Sequence, residues 1–169
     1  MAVSLDLRDD PNGSVKNFYS TLKTIPFCRI HPRYKHDVGY RLSRSGLAVA
    51  YGQSIEFQGP IIENVSYLSG GPIINITYTA VSSIEIRNSN GFEVCCRANH
   101  CLNDTLWVPA LISNKAGLTI TLTIDQSCVC QELYGLRYLW RETPCAFKQA
   151  AIYSGTDSNL PSPPYLKTF

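Results

Sequence analysis

The chain has 169 residues, of which 44% are hydrophobic and 17% are charged, and its net charge is +2 at pH 7. This composition is typical of a globular protein and excludes a disordered one, and the length allows one domain or a domain and a half. The weak, scattered positive charge argues against nucleic-acid binding, and no apolar run approaches the roughly twenty residues needed to cross a bilayer.

The N-terminal residues predict a strand followed by an acidic turn. Residues 1–7 alternate apolar and polar side chains, which predicts a short strand with three apolar side chains on one face, Val3, Leu5 and Leu7. Asp9 and Asp10 follow in a segment of turn-forming residues. Residues 15–29 fit no regular element, and we interpret them as an inserted loop.

A helix is predicted after this loop. Pro32 suits a first helical turn, and apolar residues recur from there at helical spacing, namely Tyr34, Val38, Leu42 and Val49. Gly52 is the predicted stop, so the helix should end near Ala50.

After Gln53 the apolar residues recur at every second position, which is the period of half-buried strands. Strands are predicted over residues 55–57, 61–68, 73–79, 84–86, 92–95, 118–124 and 136–140. Several short strands at intervals of roughly 8–12 residues indicate an antiparallel sandwich. The Pro-rich end, residues 160–169, is predicted to be an extended tail.

His31 is the best candidate for acid–base chemistry. It follows the acidic residues Asp9 and Asp10 and stands directly before Pro32, at the predicted helix start. A helix N-terminus lowers the proton affinity of an imidazole, and a nearby carboxylate orients the ring and stabilises its protonated form. This arrangement is typical of a hydrolase general base. The alternative is a histidine that only packs or meets solvent, as we expect for His36.

The cysteines favour disulfides over a metal site. Seven cysteines are many for a cytosolic domain of this size, and the candidates for disulfides are Cys95, Cys96, Cys101, Cys128, Cys130 and Cys145. Their connectivity does not follow from the sequence, and Cys28 is the expected unpaired thiol. Zinc is the alternative, but no C-x-x-C pairs occur, and the adjacent Cys95 and Cys96 do not easily point at one metal from a strand.

Glycosylation signals, like the many cysteines, indicate the secretory route rather than the cytosol. Four Asn-x-Ser/Thr sequons occur, at Asn12, Asn64, Asn75 and Asn103, and we take the last three as glycosylation candidates. Together with the cysteines they indicate a protein of the secretory route. The N-terminus lacks the basic region and apolar run of a signal peptide, so we expect the chain to be a fragment whose leader lies upstream.

Three residues of the last predicted strand, Arg137, Tyr138 and Trp140, could meet a sugar ring. The favoured alternative is a packed strand whose arginine is salt-bridged, because aromatic residues in strands usually pack.

A series of short motifs runs through nearly the whole chain apart from residues 15–29. In order, they are Met1–Leu7, Ile30–Arg33, Tyr40–Leu42, Leu47–Gly52, Phe57–Pro60, Cys95–Cys96, Leu136–Trp140, Pro144–Cys145, Lys148–Gln149 and Leu160–Pro164. This ordered series resembles the C-terminal part of the sialate O-acetylesterase family. That family is similar to the SGNH hydrolases, in which an α/β esterase domain precedes a β-rich accessory domain.

The resemblance implies a fold class and a domain division. Residues 1–52 are expected to be an α/β fragment, the C-terminal strand–loop–helix of an SGNH-type hydrolase domain. Residues 53–159 are expected to form an all-β antiparallel sandwich, and residues 160–169 the tail. Relatives often carry another cysteine after Lys148-Gln149, where this chain has Ala150-Ala151, which implies that one family disulfide is missing or rewired through Cys130.

The resemblance also implies a mechanism. The family's catalytic histidine lies in the Ile-His-Pro motif, which maps onto His31 as the general base. Asp9 and Asp10 are candidates for its acid partner, although the insertion separates them from it. The nucleophilic serine and the oxyanion hole belong to an N-terminal block without a match here, so we expect the chain alone to be inactive.

The implied activity is hydrolysis of O-acetyl esters of sialic acids or sialoglycans by Ser–His acyl transfer, with no metal or organic cofactor. The implied location is lysosomal or secreted. The competing hypothesis is a secreted β-sandwich that binds carbohydrate without cleaving it.

Overall fold

The structure, a computed structural model, describes residues 3–7, 35–67, 71–96, 101, 104–125, 128, 132–141 and 144–169. Within these ranges it contains one α-helix, α1 (Lys35–Val49), and a short 3-10 turn at Asp104–Leu106. It also contains nine strands: β1 (Ile61–Tyr67), β2 (Ile73–Thr79), β3 (Ile84–Ile86), β4 (Phe92–Cys95), β5 (Val108–Ala116), β6 (Thr119–Ile124), β7 (Gly135–Tyr138), β8 (Ile152–Ser154) and β9 (Tyr165–Thr168).

The strands form two antiparallel sheets. Seven of them lie in the order β1-β2-β6-β5-β4-β7-β9, and β3 pairs with β8. The antiparallel β-rich part of the predicted fold class is therefore confirmed. The helix α1 is too short to cross a bilayer, and no other helix of the described ranges could do so.

The core follows from the alternation of side chains along β2 and β6. In β6, Ile120 and Leu122 are fully buried, while the intervening threonines face away from the core. They pair with Ile76 and Ile74 of β2, which are also fully buried. Each such side chain contributes about 1.5–3 kcal/mol relative to an exposed one. These two strands therefore form the centre of the hydrophobic core.

The structure corrects several of the strand predictions. Residues 55–57 do not form a strand; the Glu56 carbonyl accepts a hydrogen bond from Arg44 Nε of α1, so this backbone serves the helix rather than a sheet. The strand predicted over residues 136–140 ends at Tyr138 because Leu139 turns into a left-handed conformation with φ of 47°. Strands β5, β8 and β9 were not predicted.

The N-terminal strand is not observed in its described part. Residues 3–7 form a turn in which the Leu7 amide donates to the Ser4 carbonyl at 3.1 Å. Alternation fails here because Asp6 and Leu7 are adjacent and both fully buried. The α/β hydrolase fragment expected over residues 1–52 is not confirmed, since its described part consists of this turn, α1 and the segment after it.

Helix α1 buries its polar side. It lies within the predicted span and ends before Gly52, whose φ of 65° is the left-handed conformation expected at a helix stop. Its buried residues are Asp37 and Arg41, whereas Leu42 and Val49 are 56% and 73% exposed. The apolar residues that predict the helix are therefore not the ones that hold it against the sheets.

The Pro-rich end is an integral part of the fold. Leu160, Pro161 and Ser162 are buried, and the Ser162 amide donates to the Ile152 carbonyl. Beyond them, β9 pairs along β7. The segment is extended as predicted, but it belongs to the sheet rather than forming a tail.

Candidate functional site

The residues predicted to carry catalysis, Asp9, Asp10 and His31, lie outside the described residues. They belong to residues 8–34, whose two flanks the structure does describe, the turn at 3–7 and helix α1. The geometry of these flanks determines how residues 8–34 are attached to the rest of the protein.

A buried ion pair joins the two flanks. Arg41 of α1 forms two hydrogen bonds with the Asp6 carboxylate, from Nη1 at 2.5 Å and from Nη2 at 2.9 Å. Asp6 is fully buried, and Arg41 is 1% exposed. Tyr153 of β8 donates from its hydroxyl to Oδ2, the same carboxylate oxygen that accepts from Arg41 Nη2, with 2.5 Å between Oη and Oδ2. We call these three residues the Asp6–Arg41–Tyr153 cluster.

The cluster extends into the backbone around it. Arg41 Nε donates to the Asn159 carbonyl and Nη1 to the Val3 carbonyl, and the Lys148 amide donates to the Asp6 carbonyl. Buried charges are stable only when they are paired and hydrogen-bonded, and here both charges are. The cluster therefore ties the turn, the helix and the C-terminal β-structure together.

Burial and the charge of Asp6 both raise the pKa of Tyr153. The Arg87 guanidinium lies 3.4 Å above the centroid of the Tyr153 ring. A tyrosine in this environment stays protonated at physiological pH, so its hydroxyl remains a donor to the Asp6 carboxylate.

Further polar contacts hold α1 along its length. Lys148 Nζ binds the Asp37 carboxylate at 2.6 Å, and the Tyr40 hydroxyl donates to Asp157 Oδ2 at 2.7 Å. Arg44 lies 3.3 Å from the same Asp157 carboxylate. Sequence reasoning missed these residues because they occupy the side of the helix that apolar periodicity assigns to solvent.

The structure gives different results for the three residues of the sugar-binding hypothesis. Arg137 and Tyr138 are packed inside the protein, whereas Trp140 is exposed. Arg137 is 2% exposed, binds Glu93 Oε2 at 2.8 Å and packs its guanidinium over the Trp107 ring. Tyr138 is fully buried, and its hydroxyl accepts a hydrogen bond from the Ile152 amide. The favoured alternative, a packed strand with a salt-bridged arginine, is confirmed for these two residues.

Trp140 differs, because 46% of it is exposed. It lines a cleft of two adjoining lobes, about 200 and 270 Å³ in volume, which share Asn90, Gly91, Leu139 and Pro144. Trp140 stands in the first lobe, and Gln149 in the second. We call this feature the Trp140 cleft.

An ion-pair network lies beside Trp140. Glu93 also pairs with Arg141, the residue that follows Trp140. Burial opposes ionisation of Glu93, but the hydrogen bonds from Arg141 and Arg137 outweigh it and lower the pKa of the carboxyl. Glu93 is therefore a carboxylate at neutral pH, and it lines the first lobe of the cleft together with Arg141.

Two disulfides are formed among the predicted cysteines. Cys95 is bonded to Cys101, and Cys96 to Cys128. Cys145 is a free thiol, and Cys28 and Cys130 lie outside the described residues. The adjacent Cys95 and Cys96 thus have different partners, and none of these four sulfurs is available as a thiolate ligand for zinc. The described residues contain no cluster of three or more metal-ligating side chains.

The glycosylation candidates within the described ranges are exposed. Asn64 of β1 and Asn75 of β2 both lie on solvent-facing positions, and Asn75 Oδ1 accepts a hydrogen bond from Thr121. Asn103 lies outside the described residues. Glycosylation at these sites stays a prediction.

Comparison with known proteins decides the family. A family model described as the sialate O-acetylesterase C-terminal domain matches residues 63–169. The chain belongs to the sialate O-acetylesterase family. The resemblance drawn from the motifs is thereby confirmed.

The curated relatives extend this match to nearly the whole chain. The chain is 34% identical to the sialate O-acetylesterases of Mus musculus and Homo sapiens, and both matches cover 98% of this chain. It spans 27% of the mouse protein and 28% of the human one. The chain thus corresponds to about a quarter of these sialate O-acetylesterases.

A solved structure has the same fold. A carbohydrate acetylesterase from Xanthomonas citri superimposes with a TM-score of 0.63 and 24% sequence identity, over 82% of this chain and 29% of that one. This likeness supports the architecture of the sialate O-acetylesterase C-terminal region described above.

Proposed function

We propose that a longer protein containing this chain hydrolyses O-acetyl esters of sialic acids. The observation that carries the proposal is the 34% identity over 98% of the chain to proteins named sialate O-acetylesterase. The substrate is an O-acetylated sialic acid, free or at the end of a glycan. No metal or organic cofactor takes part in the proposed reaction.

His31 is the general base of the proposed mechanism. A serine supplied from outside the chain attacks the acetyl carbonyl while His31 accepts the serine proton, and an oxyanion hole stabilises the tetrahedral intermediate. The sugar hydroxyl leaves with a proton from His31, and water then releases acetate from the acyl-enzyme by the same route. Asp9 or Asp10 orients the imidazole and stabilises its protonated form.

In this proposal the Asp6–Arg41–Tyr153 cluster has an indirect role, which is to hold the two segments that flank residues 8–34. Asp6 lies three residues before Asp9, and α1 begins four residues after His31. The cluster binds the two flanks, the turn at residues 3–7 and helix α1, to each other and to β8. A misplacement of about 1 Å in a catalytic group can cost roughly 100-fold in rate, so such anchoring matters for catalysis.

We also propose a secreted or lysosomal location for the protein. The disulfides Cys95–Cys101 and Cys96–Cys128 form in oxidising compartments, and the exposed sequons at Asn64 and Asn75 are accessible to glycosylation there.

The test is acetate release from 9-O-acetylated sialic acid by residues 1–169 and by a longer protein with the upstream catalytic block. We expect turnover only from the longer protein, and the variant His31→Ala should lower its kcat at least about 1000-fold. The matched control is His36→Ala, because His36 is exposed on α1 and should leave kcat unchanged.

Two results would overturn parts of this proposal. Full activity of His31→Ala in the longer protein would remove His31 from the mechanism. Turnover by residues 1–169 that His31→Ala abolishes would show that the chain does not need an external serine. The variants Asp9→Asn and Asp10→Asn identify the acid partner of His31, because only substitution of that partner should lower kcat.

A further inference from the structure

The two tryptophans of the protein are in opposite situations. Trp107 is 6% exposed, its Nε1 donates to the Cys101 carbonyl at 3.1 Å, and the Arg137 guanidinium covers its ring. Trp140 is 46% exposed and has no hydrogen bond or ring contact to any described residue. An indole combines a large apolar face with a polar N–H, and an exposed indole lining a cleft suits ligand binding.

The backbone beside Trp140 is held in an uncommon conformation. Leu139 has a φ of 47°, and Gly91, which faces it, has a φ of 108°. The Leu139 amide donates to the Gly91 carbonyl at 2.9 Å, and a Cβ on Gly91 would meet the Leu139 side chain at 3.0 Å. A left-handed leucine costs about 1–2 kcal/mol. This strained turn ends β7 and brings Trp140 to the cleft.

Side-chain amides lie at the polar end of the same cleft. Asn88 Nδ2 donates to the Gln149 carbonyl, and Asn88 Oδ1 accepts from the Asn90 amide, so the backbone of this rim is fixed. The side chains of Asn90 and Gln149 are exposed, and neither forms a hydrogen bond with a described residue. Each offers one acceptor oxygen and two donor hydrogens.

An aromatic face next to side-chain amides matches the chemistry of a sugar ring. The C–H groups on one face of a pyranose are apolar and pack on an indole, while its hydroxyls both donate and accept hydrogen bonds, as primary amides do. The two lobes together fall within the usual 300–1,000 Å³ of small-molecule sites, which leaves room for one or two sugar rings.

We propose that the Trp140 cleft is a carbohydrate-binding site, in which a sugar ring stacks on Trp140 in the first lobe and the glycan hydrogen-bonds to Asn90, which both lobes share, and to Gln149 in the second lobe. Binding in this cleft requires no ester cleavage and is independent of the proposed hydrolytic function. It gives the C-terminal β-structure a role in holding the glycan.

The test is titration of the whole chain with 3′-sialyllactose and with lactose. Tryptophan fluorescence and calorimetry measure the binding. We expect saturable binding of at least one sugar with a Kd of about 0.1–10 mM and a change in the emission of Trp140. The variant Trp140→Ala should weaken binding at least about tenfold, and Trp140→Phe should retain most of it. Asn90→Ala should weaken it to a smaller extent.

The control variant is Tyr51→Ala, because Tyr51 is 78% exposed but lies after α1, away from the cleft. Its affinity for both sugars should equal that of the unaltered chain. A cooperative thermal transition in every variant shows that folding is intact. The proposal is overturned if neither sugar binds up to about 20 mM, or if Trp140→Ala binds as tightly as the unaltered chain.

Discussion

Arg41 makes four hydrogen bonds to two separate parts of the chain. Three go to the turn at residues 3–7, two of them to the Asp6 carboxylate and one to the Val3 carbonyl, and the fourth goes to the Asn159 carbonyl. Its planar guanidinium presents its donors in a fixed fork, which a lysine does not reproduce. The residue therefore serves as the hub of the Asp6–Arg41–Tyr153 cluster. Its removal would leave the Asp6 carboxylate buried without its charged partner.

The variant Arg41→Met should lower the free energy of unfolding by about 3–5 kcal/mol, because breaking a buried ion pair leaves an uncompensated charge. Urea denaturation of the whole chain measures this change. The matched control is Leu42→Ala at the next, 56% exposed position, which should change stability by less than about 1 kcal/mol. Similar losses for both variants would contradict the structural importance of the cluster.

Cys145 should react slowly with alkylating agents in the folded protein. Burial and the nearby charge of Asp6 raise the pKa of its thiol to about 11, from an ordinary value near 9. The thiol is therefore protonated below about pH 11, and at pH 8 its thiolate fraction should be roughly 100-fold below that of the unfolded chain.

Peptide-resolved mass spectrometry after iodoacetamide treatment checks this expectation in the absence and presence of urea. Labelling of the folded protein should rise as the pH approaches about 11. Because the folded thiol holds its proton more tightly than the unfolded one, this group contributes stability below about pH 9, which is lost as the pH rises through about 11. Fast labelling at pH 8 without urea would contradict the raised pKa of the partly buried Cys145 thiol.

At the scale of elements, the sequence predicts the parts that rely on alternation. The strands β2 and β6 lie where Ile, Leu and Thr alternate, and their registers bury the apolar set as predicted. Prediction from alternation fails for β5, because Pro109 interrupts the alternating pattern and most positions of this strand are exposed. It fails for the turn at residues 3–7 because Asp6 is buried by partners more than thirty residues away in the chain.

The candidate site shows the same limit. The Ile-His-Pro motif predicts a role for His31 from local sequence, whereas Asp6, Arg41 and Tyr153 are found only when the fold brings them together. A polar residue buried by a distant partner leaves no periodic signal, so local patterns assign it to the surface.

Replacing each of two glycines by alanine should change stability in opposite directions, because Gly59 is closely packed and Gly39 lies in a helix with free space around it. A Cβ on Gly59 would overlap the Pro161 carbonyl, while nothing lies within 4 Å of a Cβ on Gly39 in α1. Gly59→Ala should therefore destabilise the protein by about 1–3 kcal/mol, and Gly39→Ala should stabilise it by up to about 1 kcal/mol. Thermal unfolding of both variants gives the comparison, and a stabilised Gly59→Ala would contradict the contact with Pro161.

At the scale of the whole molecule, the two disulfides should differ in their contribution to stability. Cys96–Cys128 closes a loop with a sequence separation of 32, and Cys95–Cys101 closes one of 6. Because a cross-link restricts the unfolded chain more when the loop is longer, the first should contribute about 3.7 kcal/mol and the second about 2.4 kcal/mol.

Urea denaturation of two double variants measures this difference. Cys96→Ala with Cys128→Ala should lose about 1 kcal/mol more than Cys95→Ala with Cys101→Ala. Cys145→Ala serves as the control for removing a sulfur without removing a cross-link. An equal or reversed order would show that local packing at these cysteines, rather than chain restriction, dominates.

The neighbouring positions of Cys95 and Cys96 have a consequence for biosynthesis. During oxidation each of these two sulfurs could attack the partner of the other, and the exchanged isomer would join Cys95 to Cys128 and Cys96 to Cys101. Cys95 is the last residue of β4 and lies opposite Gly135 of β7, so a one-residue slip of β4 against β7 would turn the Cys95 side chain to the other face of the sheet. We expect correct pairing of β4 with β7 to favour the observed disulfides during oxidation, and production in a host with a disulfide isomerase should raise the yield of the native isomer.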